Sequence, residues 1–293
     1  MPESSKPSTP MGAAQTAAIA VMMLFDSFFF IWARLMQPVI APRTSVLFIM
    51  ILSTLEIGLV ALWKKQLRLR TFLRYWWFFL PVGLLVAAST YLNYVAVSYI
   101  DPGTASMLVQ FSIVFGLLWG IFWLKDHFSH KQLIGALLAI AGVLVITFQK
   151  GDYLRLGSLL VLCSAFMYSL HAALVKRYGD AMPFFEFFTY RLLSTGLFIF
   201  LFNVFSGSLE WPSARAWPLL ILVATLDIAV GRSFYYLVLR RFRISYFSIL
   251  LTLSPLLTVT WAFLLFGVTP TLMQLLGGLG VIAGVLIVTR YRV

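Results

Sequence analysis

The chain has 293 residues, 61% of them hydrophobic and only 11% charged, with a mean hydropathy of +0.94. A soluble domain carries roughly a quarter charged residues, so this chain cannot cover a water-facing surface, and lipid must solvate most of it. Its net charge of +12 is gathered in short clusters between apolar runs, such as Lys64-Lys65 with Arg68 and Arg70. That pattern marks membrane-flanking loops and excludes the continuous basic face that nucleic acid requires.

Residues 1–12 read as a disordered cytoplasmic tail. The apolar stretch that follows continues past twenty residues without a cleavage pattern, so it is taken as a retained span. A hydrocarbon core of ~30 Å needs ~20 helical residues per crossing. Ten stretches supply them: 15–36, 44–63, 75–98, 103–124, 131–148, 156–175, 184–205, 217–239, 244–266 and 271–289. The connections are short, which makes consecutive helices antiparallel neighbours. Pro102-Gly103 separates spans three and four, Ser129 is placed to cap span five, and Thr269-Pro270 reads as an N-cap followed by proline at N1 of span ten.

Cys163 is the only cysteine, and His127, His130 and His171 are the only histidines. No intrachain disulfide can form, and no metal site or cofactor is expected. The short His127-x-x-His130 pattern is flanked by Lys125 and Lys131 and has no evident third ligand, which favours a solvated loop.

Orientation follows from lysine and arginine. With the N-terminus inside, fifteen fall on the cytoplasmic side and five (Arg34, Arg43, Lys150, Arg155 and Arg215) on the other. Both termini are therefore expected in the cytoplasm.

The most informative feature is a repeat at an offset of 142 residues. Gln132–Thr147 aligns with Gln274–Thr289 at 10 of 16 identical positions. The same offset pairs Trp119 with Trp261, Ser112 with Ser254, Ser106 with Ser248, Tyr94 with Tyr236 and Ser27 with Ser169. One residue earlier in register, Leu52-Ser53-Thr54 matches Leu193-Ser194-Thr195. The halves are thus 13–150 and 151–293, each with five spans. Because five is odd, the second half enters the membrane from the opposite side, the inverted construction that supports alternating access. The fold class expected is an all-α integral membrane protein of ten transmembrane helices in two inverted five-helix repeats.

The segments Leu118–Ile146 and Pro255–Val288 close the two halves, with Trp261, Phe266-Gly267 and a glycine-rich last helix, and Asp26-Ser27-Phe28-Phe29 sits in span one. In these the chain resembles the EamA family of the drug/metabolite transporter superfamily over residues 12–290. The resemblance implies transport of a small molecule, usually export, and a bacterial inner membrane. The chain departs from the family where spans four and nine end, reading Lys125-Asp126 and Gly267-Val268 in place of the family's glutamate after glycine. Ser254 likewise replaces an acidic residue before the span-nine proline.

Five ionisable groups fall inside spans: Asp26, Glu56, Arg191, Asp227 and Arg232. Such groups are costly in lipid and face cavities or partners. Asp227 and Arg232 are five apart, ~140° around an α-helix, so each is expected to find a partner elsewhere, with Arg191 as the counterion of Asp227. A cavity with both signs suits a zwitterion, since arginine grips a carboxylate and aspartate receives an ammonium. Asp26, Arg191, Asp227, Arg232, Tyr94, Tyr236 and His171 are the candidate substrate-binding residues, and Tyr91, Asn93, Tyr235, Trp32 and Tyr168 could complete the wall. Structural pairing and interhelical packing are the competing reading for each. Asp26 and Glu56 are candidates for proton coupling, with Glu56 alternatively reaching towards Lys64.

Gly135, Ala139 and Gly142 form a small-residue stripe on span five that Gly277, Gly280 and Gly284 repeat on span ten. Such stripes serve a packed scaffold or a homodimer contact. The function expected is a secondary transporter, an exporter of a small polar or zwitterionic metabolite that is amino-acid-like or metallophore-like. The expected partners are that solute and the lipid bilayer, with no nucleic acid. A membrane enzyme is the alternative; no Walker-type loop or channel filter is visible.

Overall fold

The computed structural model describes residues 13–124, 129–147, 156–179, 182–207, 209–241, 251 and 254–290. The tail 1–12, the 150/151 junction between the halves, His127 and Ser248 lie outside the described residues. Every regular element among the described residues is helical.

The first three spans are α1 (Ala13–Met36), α2 (Pro42–Trp63) and α3 (Leu69–Ala96). At ~1.5 Å per residue each exceeds the hydrocarbon thickness. α3 starts before the expected 75, because a basic turn carrying Arg70 and Arg74 precedes the apolar run. The two parts meet at a kink where Tyr75 leaves helical geometry, at φ −114° and ψ 22°.

The fourth span is broken into α4 (Pro102–Val109) and α5 (Ser112–Leu124). Asp101 caps α4 through the Thr104 backbone N–H at 2.8 Å, and Pro102 occupies N1, where no amide hydrogen is missed. Span five is α6 (His130–Thr147), span six α7 (Leu156–Tyr178) and span seven α8 (Phe184–Phe205).

Span eight runs through α9 (Trp217–Val223), a π-helical segment Ala224–Arg232 and α10 (Ser233–Arg241). Span nine is described as α11 (Ser254–Phe266), and span ten is α12 (Leu272–Arg290). Gly267 ends α11 at φ +64°, a left-handed turn that suits glycine, with its N–H donating to the Phe263 carbonyl at 2.9 Å.

Among the described residues six helices are long and apolar enough to cross a membrane, span eight counted as one, and α6, α11 and α12 are shorter apolar helices. Leucines and tryptophans such as Leu55, Leu59 and Trp63 point outward, while serines and threonines bond inside. Ser89 and Ser164 meet at 2.8 Å between α3 and α7. Lipid offers such hydroxyls no partner, so the polar groups turn inward.

The two halves pack as a pseudo-symmetric pair. α3 lies against α7 and α8, as span eight lies against α1 and α2; span four lies against α7, as α11 lies against α1. α2–α8 and α6–α12 are contacts between counterparts. Individual bonds repeat as well. The Trp119 indole donates to Ser169 Oγ at 2.9 Å, and the Trp261 indole to Ser27 Oγ at 3.2 Å, both partners shifted by 142.

The caps of α6 and α12 are also duplicates. Ser129 N donates to Gln132 Oε1 at 2.8 Å and Gln132 N to Ser129 Oγ at 3.3 Å. Thr271 and Gln274 repeat this at 2.7 and 3.3 Å. These are reciprocal capping boxes. The cap of span ten is therefore Thr271, two residues later than Thr269, because only Thr271 has glutamine three positions on.

The glycine stripes face each other within one chain. A Cβ on Gly142 would lie 2.5 Å from the Gly277 carbonyl oxygen, and one on Gly284 would meet Gly135 and Ala139. Within the chain these stripes serve the α6–α12 contact, the packed scaffold that was one of the two uses expected of them.

Candidate functional site

A cavity of about 110 Å³ lies where the halves meet, lined from every span except the fifth and tenth. Its wall is duplicated. Asp26 and Tyr168, Thr90 and Arg232, Asn93 and Tyr235, Val109 and Leu251, and Ser112 and Ser254 all line it, each pair 142 residues apart. Met50 and Arg191 line it at an offset of 141, the register shift that spans two and seven already carry. A cavity touched by both members of so many pairs sits on the pseudo-two-fold axis.

The pairs match in position but not in chemistry. Asp26 has Tyr168 as its counterpart, Arg232 has Thr90, and Arg191 has the apolar Met50. Charge is therefore distributed asymmetrically on a symmetric frame.

Arg232 Nη1 and Asp26 Oδ1 form an ion pair at 3.3 Å between span eight and α1. The guanidinium also lies over the rings of Phe29 and Tyr235, at 5.3 and 5.4 Å. Arg191 is placed differently. It packs over Phe188 and Tyr236 at 5.9 and 5.7 Å, no carboxylate among the described residues comes within 4.0 Å, and its buried Nε has no hydrogen-bond partner.

Of the seven expected binding residues, Asp26, Arg191 and Arg232 line the cavity. Tyr94, Asp227, His171 and Tyr236 do not; they are buried behind it. On a helix the next residue is turned by ~100°. Asn93 and Tyr235 face the cavity, so Tyr94 and Tyr236 point aside, Tyr236 against Phe187 and Phe188 at 5.5 and 5.6 Å. Asp227 precedes the cavity-lining Ile228 and is likewise turned away. His171 packs its ring on Tyr168, centroids 5.0 Å apart.

The expected Arg191–Asp227 ion pair is not formed. The ~140° separation of Asp227 and Arg232 also fails, because a π-helix bonds i to i+5 and brings residues five apart close to one face. Even so, the two do not approach within 4.0 Å.

Glu56 does not reach Lys64, which lies over the Phe185 ring at 4.5 Å. It accepts from Thr225 Oγ1 at 2.7 Å, one turn from Ser53, whose hydroxyl donates to the Ala224 carbonyl at 3.2 Å. α2 thus grips the start of the π-segment with two polar side chains.

Asn93, Tyr168 and Tyr235 of the wider wall do line the cavity, whereas Trp32 packs on Phe28 and Tyr91 on Phe202. Sequence reasoning overlooked Thr90 and Gln110 as wall residues; Gln110 donates to the Leu251 carbonyl at 3.1 Å. The repeat register held the signal for Thr90, since it is the counterpart of Arg232. Among the described residues no three His, Cys, Asp or Glu side chains gather as a metal-binding group.

A model of the EamA-like transporter family matches residues 15–148 and again 155–290. The uncharacterized transporter YdfC of Bacillus subtilis is 27% identical over 209 residues, 64% of this chain and 62% of YdfC. The chain thus spans less than two thirds of that relative. The uncharacterized transporter sll1164 of Synechocystis is 23% identical over 239 residues, covering 75% of this chain and 67% of sll1164. Human solute carrier family 35 member F3 is 30% identical over 112 residues, 36% of this chain and 27% of the carrier. A solved crystal structure shares the fold, with a TM-score of 0.69 at 13% identity over 96% of this chain and 98% of the other. With a family match in each half and an inverted ten-helix frame, the chain belongs to the EamA-like transporter family of multi-pass membrane proteins.

Proposed function

We propose that the chain is a secondary active transporter that exports a small polar or zwitterionic metabolite by alternating access. The observation that carries this is the cavity on the pseudo-symmetry axis, walled by matched positions of two inverted repeats and holding both signs of charge. Inverted repeats rock about a fixed central site and expose it to either side in turn. A cavity of about 110 Å³ suits a compact metabolite and not a lipid. The lysine and arginine bias supports cytoplasmic termini, and the likeness to bacterial relatives such as YdfC supports a bacterial inner membrane. Asp26, in the wall, and Glu56, beside the π-segment, are the carboxylates available for proton coupling.

The test compares metabolites inside and outside cells by untargeted mass spectrometry, with the gene deleted and then restored. One small zwitterion that accumulates inside on deletion and returns to the medium on restoration supports export. A precursor that builds up while its product disappears, with the medium unchanged, would instead indicate an enzyme.

A further inference from the structure

We infer that the cavity binds its solute with a fixed polarity, the carboxylate held by the second repeat at Arg191 and Tyr168 and the ammonium by the first repeat at Asp26 and Asn93. This rests on the reading of the cavity as the transport site and narrows its ligand to a zwitterion of amino-acid type.

Among the residues that line the cavity, donors and acceptors are divided by repeat. On the second repeat, Arg191 Nε is buried without a hydrogen-bond partner and can only donate, and Tyr168 brings a hydroxyl to the same cavity wall. On the first repeat, Asn93 Oδ1 is a buried acceptor without a partner, and Asp26 has only Oδ1 engaged, by Arg232. All four residues line the cavity. A buried polar group left unmatched is costly, so a solute that offers a carboxylate to one side and an ammonium to the other satisfies both sets at once.

The two cations are not equivalent. Arg232 is already neutralised by Asp26, whereas Arg191 rests only on the rings of Phe188 and Tyr236. Cation–π contact compensates a guanidinium partially and leaves its hydrogen-bond fork unused. Its counterpart in the first repeat is Met50, so no second anchor exists across the axis. The polarity is therefore set by a difference between the repeats and not by the fold they share.

The test uses the purified full chain in proteoliposomes, loaded with an equimolar mixture of the twenty standard amino acids against the same mixture isotope-labelled outside. Exchange is read by mass spectrometry and repeated with the matching amines, which lack the carboxylate, and the matching 2-hydroxy acids, which lack the ammonium. The wild type should exchange at least one amino acid tenfold faster than its amine or hydroxy acid. Arg191→Gln should lower that exchange at least tenfold and abolish the preference over the amine. Asn93→Leu, which leaves the Asp26–Arg232 pair intact, should shift the preference towards the hydroxy acid. Size-exclusion profiles verify that each variant is folded, and Arg191→Lys should recover part of the exchange.

Equal exchange of amino acids and hydroxy acids by the wild type would overturn the ammonium end. Equal loss of all three classes in folded Arg191→Gln would overturn the carboxylate end. No exchange of any mixture, alongside a clear export phenotype in cells, would overturn the polarity and leave the transport reading standing; failure of both would remove the two together.

Discussion

Asp26 and Arg232 are largely shielded from solvent and hold each other at 3.3 Å. Removing one partner leaves the other charge uncompensated, which for a buried pair costs ~3–5 kcal/mol, while replacing both by apolar groups is often close to neutral. Asp26→Leu should therefore lower the thermal midpoint of the detergent-solubilised protein more than Asp26→Leu with Arg232→Met, measured as a double-mutant cycle. Additive losses would mean that the pair contributes no coupling.

Glu56 gives a separate expectation, because glutamine preserves the acceptor that Thr225 uses. Glu56→Gln should leave counterflow exchange intact and abolish accumulation driven by a pH gradient. Unchanged accumulation would exclude Glu56 from coupling. At this scale the sequence revealed which residue types were out of place in lipid, and Asp26, Arg191 and Arg232 proved to share one cavity. It could not reveal the π-segment, which rotates Asp227 relative to Arg232 without any change in composition. Tyr94 and Tyr236 lie off the cavity wall for a simpler reason: a residue beside a cavity-facing one is turned away, and no pattern of hydrophobicity tells Asn93 from Tyr94.

Single elements were legible where their ends carry local chemistry. Ser129 was readable as a cap because it opens an apolar run with glutamine three residues on, and the same spacing marks Thr271. Thr269-Pro270 misled because proline at N1 is a common signal that the reciprocal box overrides. Loss of a capping interaction costs ~0.5–2 kcal/mol. Gln132→Ala and Gln274→Ala should each lower thermal stability, Gln274→Ala the more because its amide also donates to Asp101 Oδ2 at 3.4 Å, with the double variant additive, since the boxes lie on separate helices. Equal losses would show that the Asp101 bond adds nothing to the second box, and a larger loss from Gln132→Ala would show that the two boxes differ in strength. Breaks within spans were beyond sequence reasoning: nothing in the apolar stretch 103–124 announces that the helix yields at Gln110-Phe111, where the glutamine side chain turns to the Leu251 carbonyl.

For the whole molecule, the offset of 142 residues carried most of the architecture. It implied two halves, an odd number of spans in each and hence inversion, and the packing of α3 on α7 against span eight on α1 follows that scheme. The stripes of glycine were ambiguous in the sequence, since close approach serves a second copy and a neighbouring helix alike. In the structure Gly142 approaches Gly277 of the neighbouring helix of the same chain. Topology is checked by fusing a fluorescent protein to the C-terminus, which should fluoresce, whereas an alkaline phosphatase fused there should stay inactive. The reverse pair of results would invert the orientation that the cationic loops imply.

The mismatch of Asp26 with Tyr168, and of Arg232 with Thr90, has an energetic corollary. Two identical inverted halves would make the inward and outward forms of an empty carrier equivalent by a two-fold rotation and equal in free energy. An ion pair joining span one to span eight, with no charged equivalent between spans six and three, lifts that degeneracy. In a carrier that rocks between such forms, the vacant protein then favours one side over the other. Its affinity measured from the two faces differs by the same factor that sets this preference.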